Sequence, residues 1–159
     1  MARLAFLLFI SISVYADFFW GGCPTTSVVK SFDEDLYLGK WLEMARTKVP
    51  YTTTNKCNRA FYDRKEDGTI GAVNSALEDY GYRHVFAEAY CESSGTGQCY
   101  VSFSKWAPWS DYQVLSVDYD KYTVIFSCLS FGIFHAEFAW ILSRDYNYDW
   151  ESVVSVLED

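Results

Sequence analysis

LGKWLE, residues 38–43, is the stretch that decides how the rest of the chain is organised. Gly39 suits a tight turn because it has no Cβ, and Trp41 then places a large aromatic side chain at the start of a strand. We interpret this point as the closed end of a barrel. One Gly-x-Trp sequence is a weak signal, but two later stretches strengthen it: YQVLSVDYDKYTVIFSC, residues 112–128, and FHAEFAWILSR, residues 134–144.

The chain around these stretches is a series of short alternating runs separated by turn residues, which is typical of an all-β sandwich or barrel. Eight strands are predicted, at residues 41–47, 58–65, 69–77, 82–91, 98–104, 112–118, 122–128 and 136–143. Eight antiparallel strands closed into an up-and-down barrel leave room for one small ligand. The alternative is an open β-sandwich of immunoglobulin type.

Two short helical segments are predicted beside the strands. SFDEDLY, residues 31–37, offers Ser31 as a helix cap and acidic residues in the first turn, where they interact favourably with the helix dipole. Its apolar side chains are expected to cover one end of the barrel. Asp149 begins a second short helix with Val153, Val154 and Leu157 on one stripe.

Composition and charge limit the class of protein. The chain has 159 residues, enough for one domain, and its 50% hydrophobic and 19% aromatic content argues against disorder. The formal net charge of -8 argues against nucleic acid or an anionic membrane as the main partner. We therefore expect a globular protein with a substantial core and no nucleic-acid partner.

The first 16 residues have the pattern of a secretory signal. Arg3 is followed by an apolar run, residues 4–14, and Val14-Tyr15-Ala16 places small residues at the expected cleavage positions. A membrane anchor is the alternative, but the run is short for a membrane span. The predicted domains are thus a signal peptide, residues 1–16, an irregular arm, residues 17–30, and a barrel domain, residues 31–159, in a secreted protein.

The chain has five cysteines, an odd number that cannot all pair within one chain. Their order suggests a Cys91–Cys99 disulfide, which flanks the flexible tip at residues 93–97, and a Cys23–Cys128 disulfide, which joins the arm to a late strand. A Cys57–Cys91 pair remains open. No metal site is predicted, since there is no Cys-x-x-Cys and the two histidines are far apart.

In their order and separations the three quoted stretches resemble the three signature regions of lipocalins, and the last two are similar to the apolipoprotein D branch of that family. The resemblance covers about residues 22–149. It implies that Trp41 packs against Arg144 at the closed end, with Gly39 and Asp118 in the adjoining turns. Val117 stands where the family usually has threonine, which leaves that turn's geometry in question.

The same resemblance bears on the cysteines. It implies a cysteine at the positions of Cys23 and Cys128, in agreement with the suggested pair. A cysteine at the position of Cys57 usually pairs with one near the C-terminus, and no cysteine follows Cys128 here. Cys57 is therefore expected to be free or available for an intermolecular disulfide.

The resemblance also implies a ligand site. It places Trp140 on the wall of the pocket, and Tyr62, Asn74 and Phe103 on pocket-facing positions of their strands; Phe138 shares the face of Trp140 by alternation. Asn74 would orient a carbonyl or hydroxyl group. The alternatives are core filling for each aromatic residue and an outward orientation for Asn74. Small residues at Val85, Ala87 and Ala89 are expected to leave space open.

Aromatic and apolar residues also cluster near strand connections, where they would form an apolar rim. Such a rim could contact a membrane, a lipoprotein or a partner chain, and packing within the loops is the alternative. Its members are Trp106, Pro108, Trp109, Tyr112, Phe131, Ile133 and Phe134.

These observations predict a secreted protein that binds one small hydrophobic molecule and needs no cofactor. The sequence lacks Gly-x-Ser-x-Gly, His-Glu-x-x-His and a phosphate-binding glycine loop, so we do not expect an enzyme. The alternatives are a lipocalin-fold enzyme acting on a lipid or pigment, for which Glu43 is the one candidate titratable group, and an interaction protein with a filled barrel that works through Cys57 and the rim.

Overall fold

The computed structural model describes residues 18–47 and 56–147. The predicted signal segment and the predicted C-terminal helix lie outside the described residues, as does the polar stretch at residues 50–55, which the sequence predicts to be a loop. The elements in chain order are β1 (Phe18–Trp20), α1 (Glu34–Tyr37), β2 (Gly39–Arg46), β3 (Lys56–Arg64), β4 (Ile70–Glu78), β5 (Gly81–Cys91), β6 (Gln98–Ser102), β7 (Ser110–Asp118), β8 (Tyr122–Ser130) and β9 (Phe134–Ser143).

The strands form one antiparallel sheet in which chain neighbours are also spatial neighbours, in the order β1-β9-β2-β3-β4-β5-β6-β7-β8. A further pairing of β8 with β9 closes β2 to β9 into a barrel, so these eight strands leave no open edge between them. The predicted eight-stranded up-and-down barrel is confirmed. Because the strands alternate in direction, the starts of β2, β4, β6 and β8 share one end of the barrel.

The ninth strand, β1, was not predicted. The sequence suggested an irregular arm there, and the side chains of β1 are all exposed, so no alternation marks it. Its backbone pairs with β9, Phe19 opposite His135. The last residue of β2 pairs with Trp140, which leaves the first residues of β9 without a neighbour on that side. β1 covers this stretch of edge.

The predicted helical turn exists, but its cap is Asp33 and not Ser31. Asp33 has extended backbone angles, and its Oδ1 accepts the backbone N–H groups of Asp35 at 3.0 Å and Leu36 at 3.1 Å. A carboxylate is well placed there because the first amides of a helix lack partners and carry partial positive charge.

A bulge in β2 changes which side chains face the interior. Regular alternation along β2 would place Trp41, Glu43 and Ala45 on one face, but the register with β9 shifts between Glu43 and Ala45. A bulge adds one residue to a strand and reverses the alternation beyond it. Arg46 therefore lines the interior at the end of β2.

Disulfides and backbone hydrogen bonds fix the N-terminal arm across the barrel. Both expected disulfides are present, Cys23–Cys128 and Cys91–Cys99. The alternative Cys57–Cys91 pair is excluded, and Cys57 carries an exposed free thiol. Further along the arm, Val29 donates to the Val114 carbonyl at 3.0 Å and accepts from the Gly97 amide at 2.8 Å.

Candidate ligand-binding site

Trp41 and Arg144 close one end of the barrel. Trp41 is fully buried, and the guanidinium carbon of Arg144 lies 3.6 Å from the centre of its ring, a cation–π geometry. The indole N–H donates to the Tyr37 carbonyl at 2.8 Å. Arg144 donates to the carbonyls of Tyr119 at 2.9 Å, Lys40 at 2.8 Å and Leu36 at 3.0 Å. One side chain thus joins α1, β2 and the turn before β8.

The two turn residues expected at this end also have specific roles in the structure. Gly39 has φ +93°, a conformation that favours glycine, and it lets the chain turn from α1 into β2. Asp118 accepts the Asp120 amide at 3.1 Å and pairs with Lys121 at 3.0 Å. Valine at position 117 leaves this turn formed.

A cavity of about 220 Å³ lies inside the barrel above this closed end. Much of its wall is small and apolar: Ala60, Ala72, Ala76, Val85, Ala89 and Val101 all line it. Larger side chains at these inward positions would fill the space. Ala87, which was expected to belong to the same wall, is buried but is not a lining residue.

Four of the five predicted ligand residues line the cavity, namely Tyr62, Asn74, Phe103 and Trp140. Asn74 faces inward, opposite Ala60 and Val85 on the neighbouring strands. Phe103 also faces the cavity, but it lies just after the end of β6 and is half exposed. Phe138 is not a lining residue; it stacks on Trp140 with ring centroids 6.2 Å apart.

Two further tyrosines meet Tyr62 at the floor of the cavity. The Tyr112 hydroxyl lies 2.8 Å from that of Tyr37 and 3.0 Å from that of Tyr62. Burial raises the pKa of Tyr62 to about 12, with the Glu43 carboxylate adding to the rise. Burial likewise holds the pKa values of Tyr37 and Tyr112 well above the ordinary range, so all three phenols are neutral at physiological pH.

Tyr37 and Tyr112 line the cavity, although neither was predicted from the sequence to do so. Tyr112 was assigned to the exposed rim, and that assignment is wrong. The available signal was alternation: Tyr112 lies two positions before Val114, which is fully buried, so both point inward from β7. Tyr37 lies on α1, which has only four residues, so alternation does not apply to it.

A polar cluster lines another part of the cavity wall. Glu43 accepts from the Asn58 side-chain amide at 2.8 Å and pairs with Arg46 at 3.1 Å. The Asn58 side-chain oxygen is buried without a hydrogen-bond partner. Glu43, the candidate titratable group inside the barrel, is therefore held in an ion pair.

The remaining rim residues lie in or directly beside the β6–β7 and β8–β9 connections, at the end of the barrel opposite Trp41. Trp106 is 96% exposed, and Phe131 and Ile133 are 58% and 65% exposed. Trp109 packs its ring against Tyr90 on β5 at 4.8 Å, and Phe134 packs against Trp20 at 4.3 Å. Part of the rim is thus engaged with its own chain, and part faces solvent.

The described residues contain neither a candidate metal centre nor a candidate membrane-spanning helix. Within residues 18–47 and 56–147, no group of three or more His, Cys, Asp or Glu side chains could hold a metal ion. Over the same residues, no helix has the length and apolar character needed to cross a membrane.

Comparison with known proteins agrees with this geometry. A family model described as a lipocalin-like domain matches residues 32–159. Apolipoprotein D of Cavia porcellus is 32% identical over 145 residues, which cover 89% of this chain and 76% of the relative. The Lazarillo protein of Schistocerca americana is 31% identical over 134 residues, which cover 79% of this chain and 62% of that protein.

Solved structures show the same fold at lower identity. Insecticyanin of Manduca sexta superposes with a TM-score of 0.79 at 23% identity, over 90% of this chain and 81% of its own. Apocrustacyanin C1 superposes with a TM-score of 0.70 at 21% identity, over 87% of this chain and 79% of its own. The chain therefore belongs to the lipocalin family and is similar to apolipoprotein D.

Proposed function

We propose that this protein binds one small hydrophobic molecule in the barrel cavity, for transport, storage or sequestration outside the cell. The observation that supports this proposal most directly is the cavity of about 220 Å³. Small side chains leave it open above a closed floor. Pockets that are mostly apolar with a few placed polar groups are typical of small-molecule sites. Membership of the lipocalin family supports the same role.

The proposed ligand contacts are the side chains that line the cavity from several strands. Trp140 would supply aromatic surface, and Tyr62 and Phe103 would extend it towards the floor and the opposite end. Asn74 would supply an amide able to donate or accept. Burial of apolar ligand surface, at about 25 cal/mol per Å², is expected to provide most of the affinity.

Native mass spectrometry of protein purified from its source tests this proposal. We expect one additional small mass per chain, which is lost when the protein is denatured and which partitions into organic solvent. A chain that carries no small molecule, and that takes up none from a set of fatty acids, sterols, retinoids and pigments, would contradict the proposal.

The position of Glu43 bears on the first alternative function, a lipocalin-fold enzyme. The ion pair of Glu43 with Arg46 at 3.1 Å favours a structural role for this carboxylate over the general base that a lipocalin-fold enzyme would need. The Glu43→Gln variant is therefore expected to leave any chemistry on bound lipid or pigment unchanged. A product formed by the native protein and lost in Glu43→Gln would favour the enzyme instead.

The exposed thiol of Cys57 supports a second candidate, covalent pairing with another chain. Non-reducing electrophoresis of the secreted protein tests this directly. A band of higher mass that collapses on reduction and is absent in Cys57→Ser would support the pairing, and a single monomer band under both conditions would contradict it.

A further inference from the structure

The floor of the cavity holds more polar chemistry than a pocket for hydrocarbon needs. Tyr37 reaches it from α1, Tyr62 from β3 and Tyr112 from β7, and all three line the cavity. The rings of Tyr37 and Tyr62 lie 5.5 Å apart, and those of Tyr62 and Tyr112 lie 6.4 Å apart at a steep angle. Three separate elements thus bring three phenol groups to one point.

The three phenol hydroxyl hydrogens cannot all be donated in hydrogen bonds within the cluster. Each hydroxyl donates one hydrogen bond and accepts others, so three phenols carry three donors. Their two mutual contacts, at 2.8 Å and 3.0 Å, use two of the three. In every arrangement of the hydrogens, one donor remains.

Thr123 offers one acceptor for that remaining donor. Its hydroxyl interacts with Tyr37 and donates to the Ser116 carbonyl at 3.2 Å, so towards Tyr37 it acts as an acceptor. If Tyr37 donates to Thr123, Tyr62 presents only oxygen lone pairs to the cavity. If Tyr37 instead donates to Tyr112 and Tyr112 donates to Tyr62, the Tyr62 O–H is free to point into the cavity. A ligand hydroxyl satisfies Tyr62 in either state, whereas a carbonyl satisfies it only in the second.

An anionic group is unsuited to this floor. Besides burial, the Glu43 carboxylate raises the pKa of Tyr62, so a second negative charge next to Tyr62 is disfavoured even though Glu43 is paired with Arg46 at 3.1 Å. Arg144 is the guanidinium at this end, but its N–H groups donate to backbone carbonyls below Trp41. Other arginines line the cavity in the described part of the chain, and each has a partner: Arg46 with Glu43 at 3.1 Å, Arg83 with Glu78 at 2.7 Å, and Arg59 over the Tyr82 ring at 4.5 Å.

We propose that Tyr37, Tyr62 and Tyr112 form a hydroxyl-binding subsite at the cavity floor, which takes the alcohol group of an otherwise apolar ligand. This inference rests on the proposed function, because it assumes that a ligand enters the cavity. It assigns the ligand an orientation, with the alcohol towards Trp41 and the apolar body against Trp140.

Competition binding with a matched set of nine-carbon ligands tests the subsite. The neutral fluorescent probe N-phenyl-1-naphthylamine is displaced by nonan-1-ol, nonan-2-one, nonanoate and nonane, in the native protein and in Tyr62→Phe. We expect nonan-1-ol to bind more tightly than the ketone and the carboxylate in the native protein. In Tyr62→Phe its affinity should fall roughly fivefold, the factor that one neutral hydrogen bond contributes, while the affinity for nonane is unchanged.

Two controls separate the possible outcomes. Tyr90→Phe removes a hydroxyl from the outer face of β5, where Tyr90 stacks on Tyr100, and should leave every affinity unchanged. Tyr112→Phe serves in place of Tyr62→Phe if the latter does not fold. Unchanged affinity for nonan-1-ol in a folded floor variant that still binds the probe would overturn the subsite and leave the proposed function standing. Failure of the native protein to bind the probe or any of the four ligands would overturn both.

Discussion

At the scale of single residues, the barrel contains two tryptophans for which we propose different roles, one in stabilising the fold and one in contacting the ligand. Trp41 is fully buried and packs beneath Arg144, so it belongs to the closed end. Trp140 lines the cavity and stacks on Phe138, so part of its surface is left for a ligand. The two side chains are chemically identical, and only their positions distinguish their roles.

Replacing each tryptophan by alanine should separate these roles. Trp41→Ala removes a large buried side chain and the stacking surface of Arg144, and should lower the free energy of unfolding by about 3–5 kcal/mol. Trp140→Ala should lower it less while weakening ligand binding at least tenfold, or about 1.4 kcal/mol. Chemical denaturation and fluorescence titration measure the two effects. Equal losses of stability and affinity in Trp140→Ala would count against its role as a ligand contact.

The floor tyrosines make stability depend on alkaline pH. An unfolded tyrosine loses its proton near pH 10, whereas burial raises the pKa of Tyr62 to about 12. Between these values the unfolded chain binds fewer protons than the folded one, so the free energy of unfolding falls as pH rises. The fall attributable to Tyr62 should be on the order of 2 kcal/mol.

Urea denaturation at a series of pH values from 9 to 12 checks this, with Tyr62→Phe as the reference. The native protein should lose more stability than the variant across that window. Parallel pH profiles for the two proteins would show that Tyr62 titrates normally in the folded state.

The side chains that could be placed from the sequence are those on regular strands or within the three stretches that resemble lipocalin signatures. Trp41, Arg144 and Asn74 lie on regular strands or directly beside them, so their faces follow from counting residues. Tyr37 could not be placed in this way, because its position depends on how α1 folds across the barrel end. Arg46 was missed because a bulge reversed the face of β2, and the sequence carries no clear mark of that bulge.

At the scale of elements, the N-terminal arm depends on a glycine in the connection between β5 and β6. Gly97 donates its amide to the Val29 carbonyl and accepts from the Val114 amide, both at 2.8 Å. A Cβ at this position would lie 2.6 Å from the Val114 carbonyl oxygen and 2.7 Å from a Val29 methyl group. The arm, β7 and this connection therefore meet where only hydrogen fits.

Gly97→Ala should force these three backbones apart. We expect thermal unfolding to report a destabilisation of about 1–3 kcal/mol, the usual range for overpacking. Gly22→Ala is the matched control, since a Cβ there meets nothing within 4 Å, and it should leave the melting temperature unchanged. A Gly97→Ala protein as stable as the control would show that the arm does not pack as described.

Most elements agree with the sequence prediction, and β1 and the cap of α1 differ from it. Eight strands and the helical turn were predicted because alternation and turn residues mark them, and their order followed from the resemblance to lipocalins. β1 was missed because its three side chains are exposed and no alternation marks it, although its rings pack on Phe131, His135 and Phe134. The helix cap is Asp33 and not the predicted Ser31. Both residue types cap helices well, so the sequence alone does not decide between them.

At the scale of the whole molecule, the proposed function requires a barrel that is closed at one end and hollow above it. The closed end is held by hydrogen bonds from one arginine, and the hollow is maintained by alanines at inward positions. Ala72, which is 3% exposed, lies on β4 and lines the cavity. Its neighbour Val73 points to the outer face, opposite Phe61 and Phe86, both of which are exposed.

The most direct test of the hollow barrel is to fill it and titrate a hydrophobic probe. Ala72→Phe should occupy the cavity and weaken binding of N-phenyl-1-naphthylamine at least tenfold, about 1.4 kcal/mol, while the protein still folds cooperatively. Val73→Phe adds the same side chain one residue away on the outer face and should bind the probe as the native protein does. Undiminished binding by a folded Ala72→Phe protein would contradict the account, because the probe would then be bound outside the barrel.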